Sequence, residues 1–304
     1  MSLVQVIDPS ECVGNSLSKI NNNFKSLQTA VLNGNGTTSV IATGSTTSRT
    51  LQDRFADVVN VKDFGAVGDG VTDDTNAFQA AINYVANLSG GTVQFNDRHV
   101  IGNLYVLDYV RLQGPEGLAD AYAPTNGGAT EGLKRGSLLL NPLNTIRVNN
   151  GASVTHCQII NNTLSLPFLN ITVATSVIAS LASSATAGFA ITINGHGASL
   201  YNVFILGFNT AIYSSGWDRL KCEYIQGDCY NGIYIQGAYD ICYISNCHFW
   251  PWLTAYDSWT SVNLPLLTRG GNAYKYDNGG DWCKITNCFS YGYLNGFVVN
   301  ACNN

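Results

Sequence analysis

Short segments in which apolar and polar residues alternate recur through most of the chain and predict β-strands. In the C-terminal half these segments repeat at intervals of roughly 20 to 25 residues. One kind of segment places a cysteine or valine at a shared inward position, in copies that contain Cys157, Val203, Cys222, Cys247 and Cys288. A second kind begins with an asparagine, at residues 209, 231, 272 and 295. Repeats built from several short strands predict a solenoid whose turns stack on one another.

The shared cysteine position predicts packing rather than chemistry. Because Val203 takes the same place as the cysteines, the thiols of Cys157, Cys222, Cys247 and Cys288 are expected to be buried, reduced and stacked in one ladder. The chain has nine cysteines, but none of their spacings is typical of a zinc site, so neither a metal nor a cofactor is predicted. Asp218, Asp240 and Asp281 precede strands and are predicted to be turn residues.

Two segments show a helical period instead. Phe78, Ala81, Ile82 and Val85 form one apolar face of a short helix, with Asp74 or Thr75 as its N-cap. Such a helix can cover the open edge of a solenoid's first turn. An a/d pattern of two heptads lies closer to the N-terminus, at Leu17, Ile20, Phe24, Leu27 and Val31. Two heptads are marginal alone, so this helix packs either with other copies of the chain or on its own domain.

These patterns divide the chain into three parts. Residues 1–34 are predicted to be a helical segment, and residues 35–60 are a linker because they are rich in glycine, serine and threonine. Residues 61–304 are predicted to form the solenoid. We see no terminal cap after the last repeat, so we expect the solenoid to continue beyond residue 304 or to be covered by other chains.

The sequence DFGAVGDGVTDD at residues 63–74, followed by FQAAI at residues 78–82, closely resembles the opening segment of the pectate-lyase-like superfamily. That superfamily includes many phage tailspikes and polysaccharide-cleaving enzymes. The resemblance implies an all-β fold, a right-handed parallel β-helix capped by a short N-terminal helix. Residues 16–24 also resemble particle-proximal segments of phage tail proteins, although this match is short. Neither resemblance carries over a catalytic set.

Composition narrows the range of partners. Charged residues make up 12% of the chain, about half the usual share of roughly 25%, and the net charge is −5. Nucleic-acid binding is therefore not expected. The N-terminus has no basic and apolar signal-peptide pattern, and the apolar stretch 171–190 contains too many hydroxyl side chains for a membrane span. A virion protein made in the host cytoplasm and released by lysis fits these features.

Candidate site residues concentrate near one interruption of the repeat. Strand alternation directs Glu223 outward and places His248 in the equivalent position one turn later. The interruption at residues 250–271 is rich in aromatic side chains, which can stack on the apolar faces of sugars. We predict Glu223, Asp257 and His248 as catalytic residues, and as substrate-binding residues Trp250, Trp252, Tyr256, Trp259 and Arg269. The open alternatives are a solvated Glu223–His248 pair and an aromatic loop that packs on a neighbouring subunit.

Our hypothesis from the sequence is a homotrimeric phage tailspike or tail-fibre subunit. It would attach to tail or baseplate proteins through residues 1–34, recognise a host surface glycan and depolymerise it. Glycosidic hydrolysis needs two carboxyl groups, for which Glu223 and Asp257 are the best pair, and a hydrolase is favoured over a lyase. The alternatives are a non-enzymatic structural or adaptor spike and a free polysaccharide lyase or hydrolase.

Overall fold

The computed structural model describes residues 39–42, 44–115, 136–165, 168, 170–255, 268–279 and 282–300. The chain divides into two compact units, residues 1–57 and 58–304. In the first unit, strand β1 (Ser39–Ile41) pairs antiparallel with β2 (Ser48–Thr50), and helix α1 (Leu51–Phe55) follows. The predicted linker 35–60 thus contains regular elements in its described part. The predicted heptad helix lies outside the described residues.

The second unit is a right-handed parallel β-helix with three faces, and its strands are numbered here along the chain. Face 1 contains β7 (Leu104–Val106), β10 (Ile146–Val148), β12 (Phe189–Ile193), β14 (Thr210–Ser215), β16 (Asn231–Gln236), β19 (Arg269–Asp277) and β22 (Tyr293–Asn300). Face 2 contains β3 (Val58–Asn60), β5 (Gly91–Gln94), β8 (Val110–Gln113), the first halves of β11 (Ser153–Asn161), β13 (Ser199–Leu206) and β15 (Lys221–Asp228), then β17 (Tyr243–Ser245) and β20 (Lys284–Thr286).

Face 3 contains β4 (Asp69–Asp73), β6 (Arg98–Ile101), β9 (Ser137–Leu140), the second halves of β11, β13 and β15, then β18 (His248–Phe249) and β21 (Phe289–Ser290). Aliphatic side chains from all three faces fill the interior, as the alternating segments predict. The predicted fold class is therefore confirmed.

The bend between faces 2 and 3 sets the register. On successive turns it is made by residues in the left-handed conformation, with φ between 53° and 56°: His156, Asn202, Tyr224, Asn246 and Asn287. The residue after each bend points inward, so the true ladder is Cys157, Val203, Ile225, Cys247 and Cys288.

The prediction that Cys222 belongs to this ladder is wrong. Cys222 pairs with Leu200 and Ile244, three residues before the ladder position on its own strand. The prediction assumed that the cysteines of successive repeats share one position. In the structure the residues that share a position are those at the same distance from the bend. The corrected interval is 22 residues from Asn202 to Tyr224 and again from Tyr224 to Asn246. All seven described cysteines are free thiols, and Cys157, Cys222 and Cys247 are buried while Cys288 is half-buried.

Helix α2 (Thr75–Asn87) covers the first turn, and the predicted apolar face is wholly buried at Phe78, Ala81, Ile82 and Val85. Asp74 occupies the N-cap position, but its side chain does not cap the helix. Its carboxylate instead accepts hydrogen bonds from Val67 N (2.7 Å) and Gly68 N (3.0 Å), and contacts His99 Nδ1 at 2.7 Å. Asp74 therefore ties the glycine-rich turn to β6.

The predicted turn residues behave as expected where they are described. The Asp218 carboxylate accepts hydrogen bonds from Tyr239 N (2.7 Å) and Asp240 N (3.1 Å), which lie on the next turn. Asp240 accepts a hydrogen bond from Ile241 N (2.8 Å) and one from Arg219 Nε (2.6 Å). Asp281 lies outside the described residues.

A second apolar layer lies outside face 3. Helix α3 (Ile171–Ser180) buries Ala174 and Ile178 against outward side chains of the sheet, among them Leu139, Ile160 and Phe204. This layer explains the apolar stretch near residue 171. Within the described ranges, no helix has the length and apolar character needed to cross a membrane.

Candidate functional site

An aromatic cluster lies on face 3, where β18 leads into the insertion. The His248 ring contacts Phe289 edge-on at 4.9 Å between ring centroids and Trp252 at 5.5 Å. Trp250 stacks on Tyr291 at 4.8 Å with an interplanar angle of 23°. Tyr291 is 45% exposed and Phe289 is 50% exposed. These five residues, His248, Trp250, Trp252, Phe289 and Tyr291, are called the face-3 cluster below.

The face-3 cluster contains polar atoms that lack partners. His248 Nε2 and Trp250 Nε1 are shielded from solvent and make no hydrogen bond within the described part of the chain. A buried polar atom without a partner carries a desolvation cost that a ligand could relieve. Burial also lowers the pKa of His248 below its ordinary value, so the neutral imidazole is favoured at neutral pH. The cluster thus combines flat apolar area with two unused hydrogen-bonding atoms.

Trp252 is oriented differently from Trp250. It contacts Phe204 at 5.9 Å and belongs to the apolar layer outside face 3. It begins the short helix α4 (Trp252–Ala255), which packs beside β15. We therefore regard Trp252 as the support of the cluster and Trp250 as its outer ring.

Glu223 lies on face 2, separated from His248 by the bend. Its neighbours in register are Tyr201 and Ser245, whereas those of His248 are Gln226 and Phe289. The interpretation that placed these two residues at equivalent positions on adjacent turns is therefore wrong. The bend interrupts the alternation of inward and outward side chains, at Tyr224 on one turn and at Asn246 on the next. Glu223 precedes the bend on its turn, whereas His248 follows the bend on the next turn.

Glu223 nevertheless sits beside exposed aromatic rings that the sequence did not single out. Tyr201 contacts both His156 (5.2 Å) and Tyr224 (5.7 Å) edge-on, which forms an aromatic ridge along the bend. Glu223 Oε1 accepts a long hydrogen bond of 3.5 Å from Asn246 Nδ2. A carboxylate beside an exposed ridge is open to solvent and to ligands.

Arg269, predicted to bind substrate, is almost wholly buried. Its guanidinium forms a bidentate ion pair with the fully buried Asp228, at 2.8 Å for both Nε–Oδ1 and Nη2–Oδ2. Asp228 Oδ2 also accepts a hydrogen bond from Leu253 N (2.7 Å), and Arg269 Nη2 donates to Thr254 Oγ1 (3.2 Å). The pair therefore fixes both ends of the insertion to the β-helix rather than facing a ligand.

Three predicted residues, Tyr256, Asp257 and Trp259, lie outside the described residues, so the Glu223–Asp257 pair remains a prediction. A concavity of about 460 Å³ lies away from the face-3 cluster, near the start of face 3, and is lined in part by Arg98, Leu139 and Asn161. Among the described residues, no group of three or more His, Cys, Asp or Glu side chains could hold a metal ion.

Comparisons with known proteins agree with this architecture. Residues 58–98 match a family described as rhamnogalacturonase A/epimerase, pectate lyase-like. Alginate lyase 7 and mannuronan C5-epimerase AlgE5, both from Azotobacter vinelandii, are each 68% identical to the chain over 34 residues. That match covers 11% of this chain and only 4% and 3% of those two proteins.

Solved structures match over most of the chain. A tailspike variant of E. coli bacteriophage HK620 in complex with hexasaccharide has a TM-score of 0.56 at 12% identity, covering 92% of this chain and 54% of that one. A second variant of that tailspike, in complex with pentasaccharide, also has a TM-score of 0.56 at 12% identity and covers 91% and 53%. The chain thus spans about half the length of these tailspikes. The solved structures confirm the β-helix fold, and the match at residues 58–98 agrees with the resemblance of this segment to pectate-lyase-like proteins.

Proposed function

We propose that the chain is a phage tailspike or tail-fibre subunit that binds a host surface polysaccharide through the face-3 cluster. The observation that carries this proposal is the stacked Trp250–Tyr291 pair beside Trp250 Nε1 and His248 Nε2, which have no hydrogen-bond partner among the described residues. Aromatic faces suit the apolar faces of sugars, and the unused ring nitrogens suit their hydroxyl groups. The solved tailspikes with this fold carry bound oligosaccharides, which supports the same ligand class here.

The cluster favours an uncharged stretch of glycan. Its members are aromatic residues and a histidine whose pKa is lowered, so it offers no fixed positive charge to an acidic sugar. The net charge of −5 also disfavours a polyanion. We therefore expect neutral sugars to occupy the surface around Trp250.

Depolymerisation is the finer part of the proposal. Glu223, on the aromatic ridge, and Asp257, in the insertion, are the two carboxyl groups assigned to glycosidic hydrolysis. His248, on face 3, is assigned as a base because its neutral form is favoured. The particle contacts, namely a homotrimer and attachment to tail or baseplate proteins through residues 1–34, belong to the same proposal.

Binding is tested with a panel of purified host O-polysaccharides and capsular polysaccharides. Trp250→Ala should weaken binding of the recognised polymer about tenfold, which corresponds to the loss of roughly one aromatic contact. Trp282→Ala is the matched control, because Trp282 is 76% exposed but lies in the turn between faces 1 and 2. Equal losses in the two variants would contradict the assignment of the face-3 cluster.

Cleavage is tested on the polymer that binds. Glu223→Gln should greatly slow the loss of chain length, measured by light scattering, while binding is kept, because the change removes proton transfer and leaves the shape nearly intact. Unchanged cleavage would eliminate Glu223 as a catalytic residue. Binding without any cleavage by the unmodified protein would favour the non-enzymatic spike, and cleavage by a protein absent from virions would favour a free enzyme.

A further inference from the structure

Two pairs of cysteines meet across the last two turns of the described β-helix. Strands β17 and β20 pair Tyr243 with Lys284, and Lys284 N donates to Cys242 O at 2.8 Å, so Cys283 lies beside Cys242. Strands β18 and β21 pair His248 with Phe289, and Phe289 N donates to Cys247 O at 2.9 Å, so Cys288 lies beside Cys247. The two thiols of each pair are close enough to shift each other's pKa.

This spacing suits a disulfide. Adjacent strands of a parallel sheet lie about 4.8 Å apart, and disulfides join residues whose Cα atoms are roughly 4.4–6.8 Å apart. In-register cysteines on stacked turns can therefore be joined without a change of register. The two pairs have the same relationship, since each joins the turn before the insertion at residues 250–268 to the turn after it.

Burial gives each pair an inner and an outer member. Cys242 and Cys247 are buried, whereas Cys283 and Cys288, on the last described turn, are half-buried. The neighbouring Cys247 thiol lowers the pKa of Cys288, and in the other pair the neighbouring Cys283 lowers the pKa of Cys242. A thiolate is the nucleophile in thiol–disulfide exchange, so Cys288 in one pair and Cys242 in the other are the members with the greater share of thiolate.

Packing alone does not require paired thiols. The turn immediately before them fills the same two ladders with aliphatic side chains, Leu220 before Cys242 and Ile225 before Cys247. On the next two turns both ladders hold cysteines, Cys242 and Cys283 in one and Cys247 and Cys288 in the other. As noted above, no metal-binding group occurs among the described residues, so metal ligation does not account for them either.

We propose that Cys242–Cys283 and Cys247–Cys288 are dithiol sites that oxidise to inter-turn disulfides in the folded protein when a disulfide such as oxidised glutathione is present. The thiolate of Cys288 attacks one sulfur of oxidised glutathione, which forms a mixed disulfide and releases one glutathione thiolate. Cys247 then attacks Cys288 Sγ, and its proton passes to the departing sulfur, which releases the second glutathione as a thiol. Two protein thiols are oxidised and one glutathione disulfide is reduced, and Cys242 and Cys283 form a disulfide with the same overall balance.

The test uses the full chain, purified with reductant and then transferred to oxidised glutathione under native conditions. After the remaining thiols are alkylated, a non-reducing digest is mapped by mass spectrometry. We expect peptides that join Cys242 to Cys283 and Cys247 to Cys288, together with a higher thermal unfolding midpoint than the reduced protein. Linking the turns on either side of the insertion restricts the unfolded chain, which is the reason for the increase.

Variants separate the two sites. Cys288→Ser should remove only the 247–288 link and Cys283→Ser only the 242–283 link, and each should lose part of the gain in midpoint. Cys157→Ser is the control, because burial raises the pKa of Cys157 to about 12 and its partner in register is Val203. A stable glutathione adduct on Cys288 without a cross-link, or scrambled pairs such as 242–288, would overturn the proposal, and mapping the unmodified chain decides this even if a variant misfolds.

Discussion

At the scale of single residues, the bend between faces 2 and 3 depends on a rare backbone conformation. Five residues without the freedom of glycine adopt φ near +55° at this bend, and three of them are asparagines. Asparagine visits the left-handed region more readily than other residues because its short side chain bonds locally. His156 and Tyr224 adopt the same backbone conformation although it is strained for them, because the neighbouring turns hold the bend in place.

The histidine of the face-3 cluster makes a pH-dependent contribution to stability. Burial lowers the pKa of His248 below its ordinary value of 6.5, so the unfolded chain binds a proton at a higher pH than the folded chain does. Between those two pKa values the unfolded state holds more protons, and stability rises with pH. The cost of keeping His248 neutral is therefore absent above about pH 6.5 and grows as the pH falls below it.

His248→Gln, which cannot titrate, should weaken this dependence. We expect the unfolding midpoints in urea to fall less steeply for the variant than for the unmodified protein as the pH is lowered from about 8 to 5. The carboxylates common to both proteins cancel in the difference between the two curves. Parallel curves over this range would show that folding does not change the affinity of His248 for protons.

The sequence alone could not show the register of the β-helix or which side chains pair at the candidate site. Asparagine followed by an inward apolar residue marks the bend at Asn202, Asn246 and Asn287, but Tyr224 makes the same bend without that signal. The repeats were therefore matched at Cys222 instead of at Ile225, and this placed Glu223 in the strand after the bend instead of the strand before it. The Asp228–Arg269 pair joins residues 41 positions apart, and no local pattern indicates that both charges are buried.

At the scale of elements, local periodicity was sufficient to predict the buried face of an element that packs on segments close to it in sequence. The spacing of Phe78, Ala81, Ile82 and Val85 predicted the face that α2 buries against the first turns. Helix α3 was not predicted, because its apolar residues surround the helix instead of forming one stripe, and only the three-dimensional structure shows that it covers face 3.

The cap formed by α2 should be a major contributor to the stability of the β-helix. Phe78 is wholly buried and contacts Phe95 (5.4 Å) and His99 (4.9 Å). Phe78→Ala should therefore lower the free energy of unfolding by roughly 3–5 kcal/mol, through lost burial and the cavity that remains. Tyr84→Ala on the same helix is the control, since Tyr84 is 37% exposed and should cost less than about 1.5 kcal/mol. Similar losses in urea unfolding would contradict the assignment of α2 as a cap.

At the scale of the whole molecule, stability is shared along a stack. Each turn of a solenoid contacts the turns before and after it, so residues 58–304 hold a continuous core that does not require the first unit. The heptad pattern in the first unit has too few turns to be stable alone. We therefore propose that the second unit folds on its own and that assembly depends on the first.

Deletion of residues 1–57 tests this division. We expect the remaining chain to keep the circular dichroism spectrum of a β-helix and its affinity for the recognised polysaccharide, because the face-3 cluster and its supports lie wholly within residues 58–304. The full chain should form a trimer that light scattering detects, and the deletion variant should lose both this assembly and incorporation into particles. A deletion variant that stays trimeric would move the subunit contacts to the β-helix, and one that still joins particles would remove the anchor from the N-terminal segment.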